Sequence, residues 1–286
     1  MVSHPYAPRT VPISQNQLKY YRLLLLKKYR SRERKFLVEG IRCIEEALAA
    51  GAALEAVIIG PQATHTERGA LLVRALEQAK VPLLTADRRA FRTIADTIQS
   101  QGLVAVSQWP YGPLLVEKLP AGGTWLALNG VADPGNAGTI VRTCAWFGAQ
   151  GLLCDRTTVD ITNPKTVRST AGAIFHLPVY DEVDLRSTLP QLKERGFALY
   201  YADMRGAVAL HDLDFALPCL VVLGGEARGV EPEVAELCDA GVYIERYGAG
   251  DSLNAAVAAG VILAHIAAQS RRRKPDMSSP QSDLLA

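Results

Sequence analysis

Along most of the chain, short apolar runs bounded by glycine or polar residues alternate with stretches whose apolar positions recur at helical spacing. In residues 17–29 the spacing of Leu18, Tyr21, Leu24, Leu25 and Lys28 predicts a helix, preceded by a loose, proline-rich arm over residues 1–15. Residues 1–29 are thus read as a basic arm and helix ahead of the first domain. Strands are predicted over residues 36–40, 56–60, 81–85 and 103–107, and helices over 41–50, 67–80 and 88–97. That alternation describes a small α/β domain spanning residues 30–107. Residues 108–123 hold three prolines and three glycines and read as a linker. Over residues 124–270 the runs 125–129, 151–155, 197–202, 220–223 and 242–244 are apolar throughout, the pattern of parallel strands buried on both faces. The alanine-rich segment 253–268 reads as a buried helix, and residues 271–286 read as a disordered tail with no means of burying itself.

The 286 residues, 49% hydrophobic and 21% charged, have the mix of an ordinary globular protein long enough for two domains. Five cysteines (Cys43, Cys144, Cys154, Cys219 and Cys238) are scattered without C-x-x-C spacing, so no metal is expected and a reducing, cytoplasmic compartment is. The opening MVSHPYAPRT lacks the apolar core of a signal peptide, and segment 253–268 is too short for a membrane span. The net charge of +2 conceals an asymmetry: residues 1–108 carry 16 basic and 9 acidic side chains, residues 109–270 carry 11 and 18. One half suited to a polyanion and another to chemistry would give this pattern; a merely solvated surface fits the count equally well.

Three segments break the rhythm with glycine and small polar residues, each just after a predicted strand, where parallel α/β folds bind ligands. The first runs from Asn129 through Asp133, Pro134, Gly135, Asn136 and Gly138, and opens a helix carrying Arg142. Asp133 or Asn136 can cap that helix. Gly138 and Arg142 are four apart, so the guanidinium can point back towards the loop. The second segment holds Leu223, Gly224, Gly225, Glu226, Arg228 and Gly229. It is not G-x-G-x-x-G and comes late in the chain, which argues against a nicotinamide-dependent Rossmann enzyme. The third, from Gly248 through Ser252, Leu253 and Asn254, opens the apolar helix. Ser252 lacks the G-x-S-x-G turn of a hydrolase nucleophile, and its plainer role is a helix cap or hydrogen-bond donor. Taken singly, each segment is an ordinary turn. His176, in a strand-like run over 174–178, His211 and His265 read as core or surface histidines rather than bases.

Taken together and in order, the three segments resemble the signature motifs of the SpoU/TrmH family, RNA ribose 2′-O-methyltransferases of the SPOUT class. The stretch Asn163-Pro-Lys165-Thr-Val-Arg168-Ser-Thr-Ala-Gly172 resembles the segment between the first two motifs. Residues 30–107, through Phe36-Leu-Val-Glu39-Gly40, resemble the L30e-like substrate-binding domain often fused ahead of the catalytic one. The resemblance implies a parallel-sheet SPOUT domain with a trefoil knot, a homodimer, and S-adenosylmethionine as methyl donor. It implies that Gly224, Ile244 and Leu253 hold the adenosyl group, with Leu223, Gly225 and Gly229 around them, through close backbone approach and apolar contact. It further implies that Glu226 braces the knot loop while Asn136, Arg142, Ser252 and Asn254 face the RNA. Two departures stand out: Glu245 and Arg246 occupy the place of a usual proline–methionine pair, and Gly225 replaces a common asparagine.

The family proposal makes the arginine matching Arg142 the deprotonating group. A guanidinium stays charged to a pKa of about 12 or above, so Arg142 is better read as a phosphate anchor that stabilises a developing alkoxide. Lys27, Lys28, Arg30, Arg32 and Arg34 form the expected RNA-capturing cluster, with Lys165 and Arg168 as further phosphate contacts or plain surface charges. Ribosomal RNA is the expected substrate; transfer RNA, or a catalytically inactive RNA-binding or ribosome-assembly role, are the alternatives.

Overall fold

The structure, a computed structural model, describes residues 9–273; the first eight residues and those from 274 onward lie outside it, and with them most of the expected arm and tail. The N-terminal domain is built on a five-stranded sheet of order β1-β4-β3-β5-β2. Its strands are β1 (Val11–Pro12), β2 (Lys35–Glu39), β3 (Leu54–Ile59), β4 (Leu83–Thr85) and β5 (Leu103–Gln108). Strands β1, β4 and β3 run parallel, and β5 runs antiparallel to both β3 and β2. Five helices accompany them: α1 (Gln15–Leu23), α2 (Lys27–Glu33), α3 (Ile41–Ala49), α4 (Glu67–Gln78) and α5 (Arg88–Arg92).

Residues ahead of position 30 belong to this domain. Strand β1 pairs with β4, and α1 starts in a capping box in which Ser14 and Gln17 satisfy each other's backbone amides. The helix expected over 17–29 is two helices, because Leu26 takes an extended conformation as the cap of α2. The break lets Tyr21 and Leu24 enter the core on one face of the sheet beside Ile58 and Phe91.

The C-terminal domain is a seven-stranded, wholly parallel sheet of order β10-β12-β9-β11-β6-β7-β8. The strands are β6 (Thr124–Asn129), β7 (Gly151–Asp155), β8 (Val179–Val183), β9 (Ala198–Ala202), β10 (Val208–Ala209), β11 (Cys219–Gly224) and β12 (Ala240–Tyr243). The helices are α6 (Pro134–Trp146), α7 (Pro164–Ser169), α8 (Leu185–Glu194), α9 (Pro232–Ala235) and α10 (Ala255–Arg273). Helix α10 thus continues to Arg273, beyond the point where the tail was expected. The run 174–178 is not a strand: Ala173–Phe175 form a 3-10 turn, and His176 after it is exposed and faces Glu46 across the domain junction at 2.9 Å. One face of the sheet packs Leu189, Leu192 and Val234 from α8 and α9 against Trp125, Leu153 and Val222.

The other face forms an apolar cluster that continues into the N-terminal domain. It joins Leu126, Val141, Val167, Ile174 and Ile262 to Phe36, Ile44 and Leu103. Phe36 and Phe175 stack across the junction with ring centroids 6.0 Å apart. The two domains therefore share a core. Among the described residues no helix is long and apolar enough to cross a membrane.

Candidate active site

The carboxyl ends of β9, β11 and β12 lie side by side, and the loops that follow them enclose a cleft of about 610 Å³. Its walls include Leu223, Gly224, Gly225, Glu226 and Gly229 from the second motif and Ile244, Ser252 and Leu253 from the third. Cavities for small ligands span roughly 300–1,000 Å³ and combine apolar walls with a few fixed polar groups. This one has both.

One residue from each motif joins a single hydrogen-bond relay. Asn254 Nδ2 donates to Asn136 Oδ1 at 2.8 Å, and Asn136 Nδ2 donates to Glu226 Oε1. Asn136 and Asn254 are also fixed locally. Asp133 caps α6 by accepting from the Asn136 amide at 2.8 Å, with Pro134 in the first turn where its missing N–H costs nothing. Asn254 Oδ1 accepts from the Ala256 amide at 2.9 Å, so Asn254, not Ser252, caps α10. Ser252 is exposed on the cleft wall.

A second network holds the loop ends together and uses residues to which the sequence reading gave no role. Asn129, at the end of β6, donates to Asp155 Oδ2 at 2.9 Å and accepts from the Glu231 amide at 2.7 Å. Its carbonyl accepts from the Gly225 amide at 3.0 Å. Burial pushes the Asp155 carboxyl up, but bonds from Thr157, Thr158, the Gly130 amide and Asn129 outweigh it and hold the group below the usual carboxylate range. Asn129 therefore clamps both ends of the second motif onto an anionic anchor.

The glycines of that motif serve the loop first. A Cβ on Gly224 would overlap the carbonyl carbon of Gly229, and one on Gly225 would overlap the Gly130 carbonyl oxygen. The bareness of Gly224 is thus required by protein backbone, rather than by close approach of a ligand alone. At Gly225 the structure also accounts for the missing asparagine: this packing leaves no room for a side chain. Gly138 likewise brings α6 against Thr166 and Ser169 of α7. Glu245 and Arg246 shape the third loop through their side chains. Glu245 accepts from the Tyr247 hydroxyl at 2.5 Å and stands 2.9 Å from His211 Nδ1, while Arg246 donates to the Gly250 carbonyl at 2.7 Å.

Arg142 is exposed on α6 and has no hydrogen-bond or ionic partner among the described residues. At about 1.5 Å per residue it stands roughly 9 Å along the helix from Asn136. Of the other basic residues, Lys28 is exposed, Lys27 pairs with Glu182 at 2.7 Å, and Arg32 pairs with Glu33 at 2.8 Å. Arg34 donates to the Tyr111 carbonyl and lies over the Trp109 ring. Lys165 remains largely exposed, 3.9 Å from Asp133.

Two of the expected RNA contacts are turned inward. The Arg30 side chain is 3% exposed and is ion-paired to Asp160 at 2.5 Å, so it ties α2 to the C-terminal domain. Arg168 lies 2.6 Å from Asp96 and 3.7 Å from Glu39, across the domain junction. Its Nη1 is not aligned for a directed hydrogen bond, so the contact is ionic. Both arginines join domains in the free protein and are not presented to a phosphate.

Residues 123–264 match the SpoU rRNA Methylase family, and residues 15–105 match the MRM3-like substrate binding domain. An uncharacterized tRNA/rRNA methyltransferase of Mycolicibacterium vanbaalenii is 34% identical over 82% of this chain and 77% of its own length. The chain belongs to the SpoU methylase family. The 23S rRNA (guanosine(2553)-2′-O)-methyltransferase RlmP of Bacillus subtilis is 29% identical over 90% of this SpoU protein and 99% of its own length. The SpoU methyltransferase AviRb of Streptomyces viridochromogenes, in complex with AdoMet, superposes with a TM-score of 0.81 at 26% identity, over 90% of this chain and 99% of that one. The protein is an S-adenosylmethionine-dependent RNA methyltransferase of this family. Leu223, Val242, Ile244 and Leu253 give the cleft an apolar wall beside the two glycine loops, a lining of the kind that suits an adenosyl group. Among the described residues no group of His, Cys, Asp and Glu is arranged to hold a metal ion.

Proposed function

We propose that this SpoU protein methylates a ribose 2′-hydroxyl of ribosomal RNA, as a cytoplasmic homodimer. The relay Asn254–Asn136–Glu226 carries the reading, because it fixes one polar side chain from each motif loop at the lip of the donor cleft while leaving Arg142 unpaired nearby. The relationship to RlmP over nearly its whole length supports the 2′-hydroxyl and the ribosomal substrate. The strand order, with β9 set between β12 and β11, is consistent with the trefoil knot expected of the family. Mapping 2′-O-methyl groups by mass spectrometry after gene deletion tests the substrate. One ribosomal site should lose its methyl group and regain it on complementation; loss confined to transfer RNA sinks the ribosomal assignment.

When bound, S-adenosylmethionine supplies an electrophilic methyl group on a sulfonium. Alignment then contributes much of the acceleration, on the order of 7–11 kcal/mol in favourable cases. Asn136, held between Asn254 and Glu226, has one amide orientation available and presents a rigid edge to the RNA. Arg142 anchors a phosphate and stabilises the charge growing on the ribose oxygen. The proton leaves to a phosphate oxygen or to water, since the guanidinium has no basicity to offer.

RNA capture rests on the exposed basic residues of the N-terminal domain. Replacing Lys27, Lys28, Arg32 and Arg34 with alanine should weaken RNA binding across sequences and leave donor affinity unchanged. The logarithmic salt slope should become shallower by about 3 if all four touch phosphate, at roughly 0.7 per contact on single strands. Equal affinity and slope in the variant would make these residues a solvated surface. The test belongs in the full-length chain, because removing residues 1–122 would strip the cover from a shared core.

The homodimer has an apolar face to use. Val257 and Val261 are 51% and 39% exposed at successive turns of α10, and Leu253, just ahead of the helix, is 50% exposed. Next to them, Trp146 of α6 is 84% exposed, one turn beyond Thr143, which α10 meets at Gly260. Contiguous exposed apolar residues of this kind mark interaction surfaces. Val257→Glu with Val261→Glu should give a monomer in sedimentation, and a fully active wild-type monomer at working concentration overturns the proposal.

A further inference from the structure

The end of β9 brings into the cleft a carboxylate that none of the three motifs contains. Asp203 lines the cleft together with Gly229, and its side chain is 17% exposed. Its backbone amide donates to the Val242 carbonyl at 3.1 Å, which fixes the residue between β9 and β12. One side-chain oxygen is occupied: Oδ1 accepts from the Arg205 amide at 2.7 Å and from Arg205 Nε at 3.3 Å. The other, Oδ2, has no partner among the described residues. A Cβ on Gly229 would stand 3.5 Å from Oδ2, so the absence of a side chain at Gly229 keeps the space before this oxygen open. Burial opposes ionisation, but the amide and guanidinium of Arg205 outweigh it and hold the Asp203 carboxyl below the usual carboxylate range. The group is therefore anionic at neutral pH. A carboxylate oxygen that borders the cleft without a protein partner is available to a ligand's hydrogen-bond donor, and a bond to a charged acceptor is among the stronger ones.

We propose that Asp203 is a donor-binding residue whose Oδ2 accepts a hydrogen bond from the ribose hydroxyls of the adenosyl group. The assignment rests on the reading of this cleft as the methyl-donor site. Two parts of the donor carry hydrogen-bond donors, the ribose hydroxyls and the amino-acid ammonium. The hydroxyls are the better match because Arg205 already compensates the carboxylate's charge, which leaves an acceptor rather than a counter-ion. The apolar residues Leu223, Val242 and Ile244 share the same cleft and suit the adenine to which that ribose is joined. A carboxylate past the end of a parallel strand accepts from ribose hydroxyls in dinucleotide-binding domains for the same reason.

Calorimetry with two donor-site ligands separates the alternatives. S-adenosylhomocysteine carries both the ribose and the ammonium, whereas 5′-methylthioadenosine carries the ribose alone. Asp203→Ala should weaken both ligands by the same factor, about 10- to 100-fold for a bond to a charged acceptor. Asp203→Asn, which keeps the shape, should fall between it and wild type, and circular dichroism verifies that both variants fold. Loss of affinity for S-adenosylhomocysteine with 5′-methylthioadenosine unchanged assigns Asp203 to the ammonium and overturns the ribose proposal. Unchanged affinity for both, in variants whose wild type binds, overturns the residue's role altogether. A wild-type protein that binds neither ligand overturns the donor reading of the cleft, and the proposal with it.

Discussion

Arg142→Ala should lower kcat by about 10²–10³-fold or more while leaving S-adenosylhomocysteine affinity within a few-fold. Removing one preorganised donor from a developing oxyanion costs roughly 3–4 kcal/mol in well-studied enzymes, and the same group here would also hold RNA. Its position separates the two effects. Arg142 lies on the exposed side of α6 and is absent from the cleft walls, whereas Ile244, Leu253 and the glycine loop are part of them. The substitution removes no bond made in the free protein, so stability should be unchanged within about 0.5 kcal/mol, as for ordinary surface changes. Single-turnover kinetics at saturating donor and RNA read the chemical step directly. If the variant lost donor binding yet turned over normally once saturated, Arg142 would belong to the donor site.

The strands of the catalytic domain were legible because they are buried on both faces. The runs 125–129, 151–155, 197–202, 220–223 and 242–244 match β6, β7, β9, β11 and β12 to within two residues at either end. Strand β8 was not, since Tyr180, Asp181 and Glu182 interrupt its apolar pattern, as an edge strand with a single neighbour permits. Strands β1 and β10 hold two residues each, too few for any period to appear. The motif loops were legible as chemistry but not as contacts. That Asn254, Asn136 and Glu226 bond to one another depends on strand order, which brings together residues 118 and 90 positions apart. Asp203 carried no signal of its own, because a polar residue after a strand is the commonest turn element there is. Arg30 misled for the opposite reason. In the run Lys27–Lys35 it looks like its neighbours, and only the fold turns it inward.

Arg30→Ala should therefore act on stability and not primarily on RNA. The guanidinium bonds through all three nitrogens: from Nε to Asp160 Oδ2 and Thr162 Oγ1, both at 3.1 Å, from Nη2 to Asp160 Oδ2 at 2.5 Å, and from Nη1 to the Leu24 carbonyl at 2.9 Å. Asp160 Oδ1 is taken by the Thr162 amide and hydroxyl at 2.8 and 2.6 Å. With side chains 3% and 9% exposed, the pair is out of water on both sides. Removing one partner strands a buried charge, which costs about 3–5 kcal/mol, far more than the 0–1 kcal/mol of an exposed pair such as Lys27–Glu182. Because the pair ties α2 to the catalytic domain and the core is continuous across that junction, chemical denaturation should show the loss in both domains together. Arg30→Met combined with Asp160→Asn removes both charges, keeps an acceptor for the Thr162 amide and should recover much of the stability, since neutral, well-packed replacements of buried pairs are often tolerated. Lys28→Ala serves as the exposed control and should leave stability unchanged. An Arg30→Ala protein as stable as wild type but with a flattened salt dependence of RNA binding would return Arg30 to the RNA-contacting surface.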